Sequence, residues 1–255
     1  MLADPYDVIL LDLDGVLYRW PEPIPSAARA VAALRTAGKR IVFVTNNSSR
    51  TPAQVAGRLA SVGVDAKPEE VVSSALVTAT ILAERGTGSA FVIGEEGLLE
   101  ALTEAGIRVV DASDEVDVVV VGFDRGADYT KLKDASVLVE RGVALVASNA
   151  DPSFPAPGGE SWPGAGALLS AVETTTGTRG EVFGKPEAPL FERALASAGG
   201  GRPLVAGDRL DTDIAGASRL GWDSALVLTG DARREDLESS PWKPTFIVDD
   251  LSGLV

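Results

Sequence analysis

The chain has 255 residues, with 23 Lys and Arg against 37 Asp and Glu, a net charge of −14, and neither cysteine nor histidine. That balance excludes nucleic acid and anionic membrane as partners, because both demand basic surface. The missing residue types exclude disulfides, thiolate nucleophiles, Cys- or His-ligated zinc and Ser-His-Asp triads, which leaves carboxylates, Lys, Tyr and hydroxyls to do any chemistry.

The start, "MLADPYD", shows no basic segment leading into a long apolar run, and "VDVVVVGF" is too short to span a bilayer. The expectation is a soluble, cytoplasmic protein. The first predicted strand covers 8–13 and runs into Asp12, Asp14 and Gly15. Side chains two apart on a strand share a face, so both carboxylates are expected to point one way. Two unit charges ~6 Å apart at an effective dielectric of ~20 repel by roughly 3 kcal/mol. A bound cation, or a proton held on one acid, must offset that repulsion.

An Ala-rich helix over 26–37 follows, then a strand over 41–45 and a helix opened by Thr51 and Pro52, a cap followed by a first-turn proline. Another helix covers 74–85. After "GTGS" the alternation restarts with "AFVIG", a helix over 95–105, "IRVV", "DVVVVG", a helix over 129–141 and "VALVASN". The stretch "ADPSFPAPGGESWPGAG" that comes next is long for a connection inside a compact unit, and such loops carry function or move. A helix ending near Thr176 and the segment "TTGTRG" close this set. A third series runs from "EVFGKPEAPLFERAL" through "PLVAGDRLDTDIAGASRLG" and "SALVLTG" to "TFIVDD".

Strands alternating with helices predict an α/β protein with a Rossmann-like, doubly wound parallel sheet. The breaks at "GTGS" and "TTGTRG" predict an inserted α/β domain over 79–179, dividing the core into 1–78 and 180–255.

Four stretches carry candidate chemistry: "DLDGVLY", "VTNNSSR", "GKPEAPLF" and "VAGDRLDTDIAGA". Each lies where a strand or turn meets a helix, and in a doubly wound sheet those junctions gather at the carboxyl ends of the strands, where ligands bind. Carboxylates at Asp12, Asp14 and Asp208 suit an oxygen-rich Mg²⁺ site that keeps several waters. Thr45, the backbone N–H groups after it and the Lys185 ammonium would donate to phosphate oxygens.

With these residues in order, the sequence resembles the haloacid dehalogenase superfamily, and within it the class IIA phosphatases. "DLDGVLY", "FVTNNSSR", "VFGKP" and "GDRLDTDI" carry the likeness, supported by "SSA", "LVLTG" and "TFIVDDL", and it spans essentially the whole chain. The resemblance implies hydrolysis of a small phosphorylated metabolite through an aspartyl-phosphate. It makes Asp12 the nucleophile and a Mg²⁺ ligand. Asp14 becomes the acid–base, its backbone carbonyl on the metal, with Asp208 a further ligand and Asp213 the holder of a metal-bound water. Thr45, Asn46 and Asn47 bind phosphate, and Lys185 bridges Asp12 and the phosphoryl oxygens. The insertion becomes a type-2 cap, and a homodimer through that cap is compatible with the family. Phosphoryl transfer rests on positioning and charge stabilisation, a carboxylate nucleophile divides it into two displacements, and crowding raises one carboxyl pKa toward neutrality.

Taken singly, each residue has a plainer role: Asp12 and Asp14 as solvated turn residues, Thr45 as a helix cap, Lys185 as a surface lysine. A receiver domain also clusters Asp, Thr and Lys but is much shorter, and a glycosyltransferase would explain a DxD pair yet not "GKP" or "GDRLDTDI". A phosphomutase of the same superfamily and a non-catalytic phosphate-ligand sensor remain as alternatives. Asp211 is expected as a helix N-cap, and Arg209 has no assigned role. In the loop over 149–166, Asn149, Asp151, Phe154 and Trp162 are the candidates for discriminating between leaving groups, the two aromatics being equally suited to packing the loop.

Overall fold

The computed structural model describes residues 1–156 and 160–255. The chain forms two compact units, one made of Met1–Thr45, Pro52–Val72 and Lys185–Val255, the other of Asn46–Thr51 and Ser73–Gly184. In chain order it begins with β1 (Val8–Leu11), the short hairpin β2 (Tyr18–Arg19) and β3 (Glu22–Pro23), α1 (Ala27–Thr36), β4 (Arg40–Thr45), α2 (Pro52–Ser61) and β5 (Val71–Ser73). Then come α3 (Ser74–Glu84), β6 (Ser89–Ile93), α4 (Glu96–Glu104), β7 (Arg108–Val109), β8 (Val118–Val121), α5 (Tyr129–Glu140) and β9 (Ala144–Ala147). They are followed by β10 (Ser153–Ala156), β11 (Glu160–Pro163), α6 (Ala165–Thr176) and β12 (Glu181–Val182). The chain closes with α7 (Ala188–Ser197), β13 (Pro203–Gly207), α8 (Ala215–Arg219), β14 (Asp223–Val227), α9 (Asp236–Ser239) and β15 (Phe246–Val248).

The first unit is built on a six-stranded sheet in the order β15-β14-β13-β1-β4-β5. β1 pairs in parallel with both β13 and β4, placing Leu11 level with Ala206 and Phe43. From β1 the chain steps outward one way through β4 and β5, then later the other way through β13, β14 and β15. The strand order therefore reverses beside β1, and this switch point is where doubly wound sheets leave a crevice beyond their carboxyl ends. All four residues of β1 are buried, as expected for a central parallel strand covered on both faces. One face packs Ile9, Leu11, Ile41, Phe43, Leu204 and Ala206 into a single cluster with Leu34 of α1 and Leu59 of α2. α1 supplies Ala27, Ala30, Val31 and Leu34, the i, i+3, i+4, i+7 stripe of an amphipathic helix.

The second unit has its own five-stranded sheet, ordered β12-β9-β8-β6-β7, with every pair parallel. β8, four valines all buried, is its central strand. Its core joins Phe91, Ile93, Val119, Val121 and Leu145 to Leu138, Val139, Leu169 and Val172 of the covering helices. The Asp128 carboxylate caps α5 by accepting from the Lys131 N–H at 2.8 Å. Against the insertion expected over 79–179, the contacts gather Ser73–Gly184 together with Asn46–Thr51. The α/β class, the parallel core sheet and the inserted α/β unit are as the alternation of elements predicted.

Two local expectations change. The strand expected over 8–13 ends at Leu11, so the rule that alternate side chains share a face does not extend through Asp14. The stretch after β9 is no structureless loop: β10 and β11 pair antiparallel, with Phe154 opposite Trp162. Residues 157–159 of that 149–166 loop lie outside the described residues. Among the described residues no helix is long and apolar enough to cross a membrane.

Candidate active site

The carboxyl ends of β1, β4 and β13 deliver Asp12, Thr45 and Asp208 to one edge of the core sheet. Asp12 directly follows β1, its N–H still bonded to the Ala206 carbonyl at 2.9 Å. Thr45 is the buried last residue of β4, and Asp208 directly follows β13. Beyond Asp208 the chain winds through a π-helical turn, Leu210–Ile214, which sets Asp213 back beside it. Such wide turns recur at functional sites because they re-aim a side chain.

Lys185 stands just ahead of α7 and completes the group from 173 residues away in sequence. Its ammonium donates to Asp12 Oδ1 at 2.5 Å and to Asp213 Oδ1 at 2.7 Å, and the residue is 4% exposed. One carboxylate oxygen from each of Asp12, Asp208 and Asp213 lies within 4.8 Å of the others. Asp208 Oδ2 accepts from the Asp231 N–H at 2.7 Å, and Asp213 Oδ2 from the Arg209 N–H at 3.3 Å.

Burial raises the Asp12 carboxyl well above the ordinary carboxylate range; Lys185 opposes the rise while the charges of Asp213 and Asp208 add to it. Burial likewise pushes Asp208 up to about 7, with the Asp213 charge adding and the Asp231 N–H opposing. Burial works against the Lys185 cation, but Asp12 and Asp213 outweigh it and hold the ammonium above its usual range. With all three carboxyls ionised, one ammonium would leave two negative charges uncompensated in a buried place.

That surplus, carried by oxygen donors alone, is what a hard divalent cation neutralises. The backbone has been brought up to make room for nothing else: a Cβ at Gly15 or Gly230 would overlap the Asp208 carboxylate. Gly15 also needs its φ of +79°, which L side chains rarely adopt. The Thr229 hydroxyl donates to the Gly15 carbonyl at 2.6 Å, tying the turn after β1 to the loop after β14. The site's residues thus fit Mg²⁺ by charge, donor chemistry and shape.

The other expected residues fall differently. Asp14 is exposed, lies beyond the end of β1, and its carboxylate is not part of the three-acid group. Asn46 and Asn47 group with the second unit. There Asn46 Nδ2 donates to Asp151 Oδ2 at 3.0 Å, and the Asn46 carbonyl accepts from Ser74 Oγ at 2.7 Å and Asn149 Nδ2 at 2.8 Å. Asn47 Oδ1 accepts from the N–H and the hydroxyl of Ser49 at 2.9 and 2.7 Å. Asp211, expected as an N-cap, instead holds the Arg209 guanidinium at 3.1 and 2.8 Å, because Arg209 itself occupies the cap position. Phe154 packs edge-on against Phe123 at 4.7 Å and Trp162 at 6.0 Å, so it anchors the hairpin within its own unit. Trp162 remains 43% exposed. Sequence reasoning missed the backing of Asp208 by Gly230 and the Asp231 N–H; "LVLTG" was the only signal there, and it marked likeness without naming a contact.

The motif order and this geometry are those of one hydrolase family. Residues 9–108 match the haloacid dehalogenase-like hydrolase family, and residues 182–254 match a second family described as HAD-hydrolase-like. An acid sugar phosphatase of Staphylococcus aureus is 39% identical over 253 residues, covering 98% of this chain and 97% of that protein. The crystal structure of a glycerol phosphate phosphatase from Mycobacterium tuberculosis, in complex with magnesium, superposes with a TM-score of 0.93 at 36% identity, covering 99% of this chain and 77% of that one. A thermostable NPPase double mutant from Geobacillus stearothermophilus gives 0.90 at 36% identity, covering 97% of both chains. The chain belongs to the haloacid dehalogenase-like hydrolases. Within them its relatives are the class IIA phosphatases, and it is a phosphoric monoester hydrolase.

Proposed function

We propose that the chain is a Mg²⁺-dependent phosphatase of small phosphorylated metabolites, sugar or polyol phosphates among them, acting through an aspartyl-phosphate on Asp12. The observation that carries this reading is the bond from Lys185 to both Asp12 and Asp213 beside Asp208. It places a buried ammonium directly on the carboxylate that would attack phosphorus. The names of the relatives, acid sugar phosphatase and glycerol phosphate phosphatase, support the substrate class.

In the first displacement an Asp12 carboxylate oxygen attacks phosphorus while the bond to the leaving oxygen breaks. Asp14 gives its proton to that oxygen, releasing an alcohol. In the second, Asp14 takes a proton from water, the hydroxide attacks the acyl phosphate, and orthophosphate leaves as Asp12 is regenerated. Lys185 balances Asp12 in the resting site and the phosphoryl oxygens during transfer. Thr45, Asn46 and Asn47 are assigned as donors to those oxygens. Asp12, Asp208 and the Asp14 carbonyl would hold Mg²⁺, which when bound offsets the charge of the carboxylates and the phosphoryl group together. Asp213, with one oxygen on Lys185 and the other on the Arg209 N–H, is assigned to the metal through a water.

The inserted unit is assigned as the cap. Discrimination among leaving groups then falls to its residues, with Asp151 and Trp162 the first candidates.

Asp12→Asn preserves size and removes the nucleophile. Phosphate release from nitrophenyl phosphate and from glycerol phosphate should fall to background in this variant and in chelator, with an unchanged circular-dichroism spectrum. Undiminished turnover in either condition would overturn the mechanism.

A further inference from the structure

A cavity of about 550 Å³ lies in the first unit between the β2–β3 hairpin and the loop that follows β14. Arg19, Arg233 and Arg234 line it, with Glu235 the one carboxylate among the lining residues. This is unusual on a chain with 14 more acids than bases. Arg234 is already paired with Asp249 at 2.9 Å. The guanidinium groups of Arg19 and Arg233 form no ion pair among the described residues, while the Arg233 backbone N–H donates to the Asp236 carboxylate at 2.7 Å.

Arg19 is held in place without being used up. Its Nε donates to the Thr229 carbonyl at 2.6 Å, which fixes the plane of the guanidinium and leaves its two terminal nitrogens for another acceptor. A fork of N–H donors fixed in this way matches the paired oxygens of phosphate or carboxylate. The loop itself is anchored to the proposed active site: Asp208 accepts from the Asp231 N–H at its carboxylate and from the Ala232 N–H at its carbonyl, 3.1 Å away. Gly230, which lines the cavity, is also the residue whose backbone abuts the Asp208 carboxylate. The cavity and the acidic site therefore share one wall while carrying opposite charge.

We propose that Arg19 and Arg233 form an oxyanion-binding site, distinct from the phosphoryl-transfer site and adjoining it across Gly230. Its ligand is a phosphate or carboxylate group. Two sources present that chemistry: a second anionic group on the substrate, or free orthophosphate such as the product. The binding claim is independent of the catalytic reading, although the substrate arm rests on it.

The test compares the Mg²⁺-loaded wild-type protein with the double variant Arg19→Gln/Arg233→Gln, counting radiolabelled orthophosphate bound per chain at saturation. Two phosphates are expected for the wild type and one for the variant, with nitrophenyl-phosphate kcat within about twofold in both. The same pair is then assayed on phosphoglycolate and glycerol phosphate, which differ in the presence of a carboxylate. A drop of about tenfold or more in kcat/KM confined to phosphoglycolate assigns the site to the substrate's second anion; an unchanged ratio alongside the lost phosphate assigns it to the free anion. An equal number of phosphates in both proteins, with an unchanged substrate ratio, overturns the proposal. Two phosphates bound by a protein that hydrolyses nothing would leave this site standing and refute the proposed function instead.

Discussion

Replacing Lys185 by Met keeps the length of the side chain and deletes the cation that donates to both Asp12 and Asp213. The lysine is buried, and the carboxylates it serves lie 2.5 and 2.7 Å from it, so water cannot substitute for it without rearrangement. Breaking a buried ion pair from one side costs ~3–5 kcal/mol. The protein has one escape, which is to bind an extra proton on the cluster. For a carboxyl with an ordinary value of 3.8, that costs ~1.4 kcal/mol per pH unit above it, or ~4 kcal/mol at pH 7 and ~1.6 kcal/mol at pH 5. The sign follows from the direction of the shift. A carboxyl raised in the folded state contributes stability that is present below its unfolded pKa and lost as pH rises through the folded one. Lys185 itself, held above its usual range, stays charged throughout. Urea unfolding of both proteins in chelator, from pH 5 to pH 8, should therefore show a gap that widens with pH from ~1.6 to ~4 kcal/mol by neutrality. A gap below ~1 kcal/mol at pH 7, or one that does not change with pH, would refute the idea that Lys185 neutralises this cluster.

Mg²⁺ should displace a proton from Asp208, whose carboxyl sits at about 7 without the cation; that carboxyl favours the metal-free fold below its unfolded pKa and ceases to as pH passes 7. Calorimetric titration at pH 6.5 in buffers of different ionisation enthalpy should show proton release that declines above pH 8, and no release at pH 6.5 would contradict the ligand assignment. Gly230→Ala drives a methyl group into the Asp208 carboxylate, so the variant should lose ~1–3 kcal/mol of stability and need at least ~10-fold more Mg²⁺ for half-maximal turnover; wild-type Mg²⁺ dependence would show that the loop yields freely. Asp14→Asn should depress turnover of glycerol phosphate ~10²–10⁴-fold and of nitrophenyl phosphate far less, because nitrophenolate leaves without a proton. Equal losses on the two substrates would assign Asp14 to metal support alone.

Two features of the inserted unit support its proposed role in specificity. Asn46 and Asn149 hold Asp151 by its carboxylate and its backbone N–H, at 3.0 and 3.1 Å, so this acid is fixed at the base of the hairpin. Trp162, by contrast, keeps nearly half its surface exposed while its indole N–H donates to Glu160 at 2.7 Å. A rigid polar group and an accessible aromatic face are complementary means of reading a polar leaving group with an apolar stem.

Much of this protein was determined by local sequence. Apolar runs of four or five residues alternating with helical stripes specify parallel α/β units, because burial on both faces of a strand and one face of a helix leaves a period that can be read directly. Asp12, Thr45, Lys185 and Asp208 stood out as candidates because each stands at a strand or turn boundary where a buried run gives way to a polar residue. What pattern does not encode is which partner each residue meets. Val182 and its neighbour form a two-residue strand with no period to read, and only pairing with β9 places them in the second sheet rather than the first. The proline- and glycine-rich stretch after β9 looks structureless in sequence, yet it pairs as a hairpin because Phe154 finds both Trp162 and Phe123. Asp213 owes its place beside Lys185 to a π-helical turn, and Gly230 owes its place behind Asp208 to a loop 22 residues further along the chain. Local sequence selects a backbone conformation and a buried face; the electrostatics of the site depend on contacts between residues as far as 173 positions apart, which exist only once the sheet has brought its strand ends together.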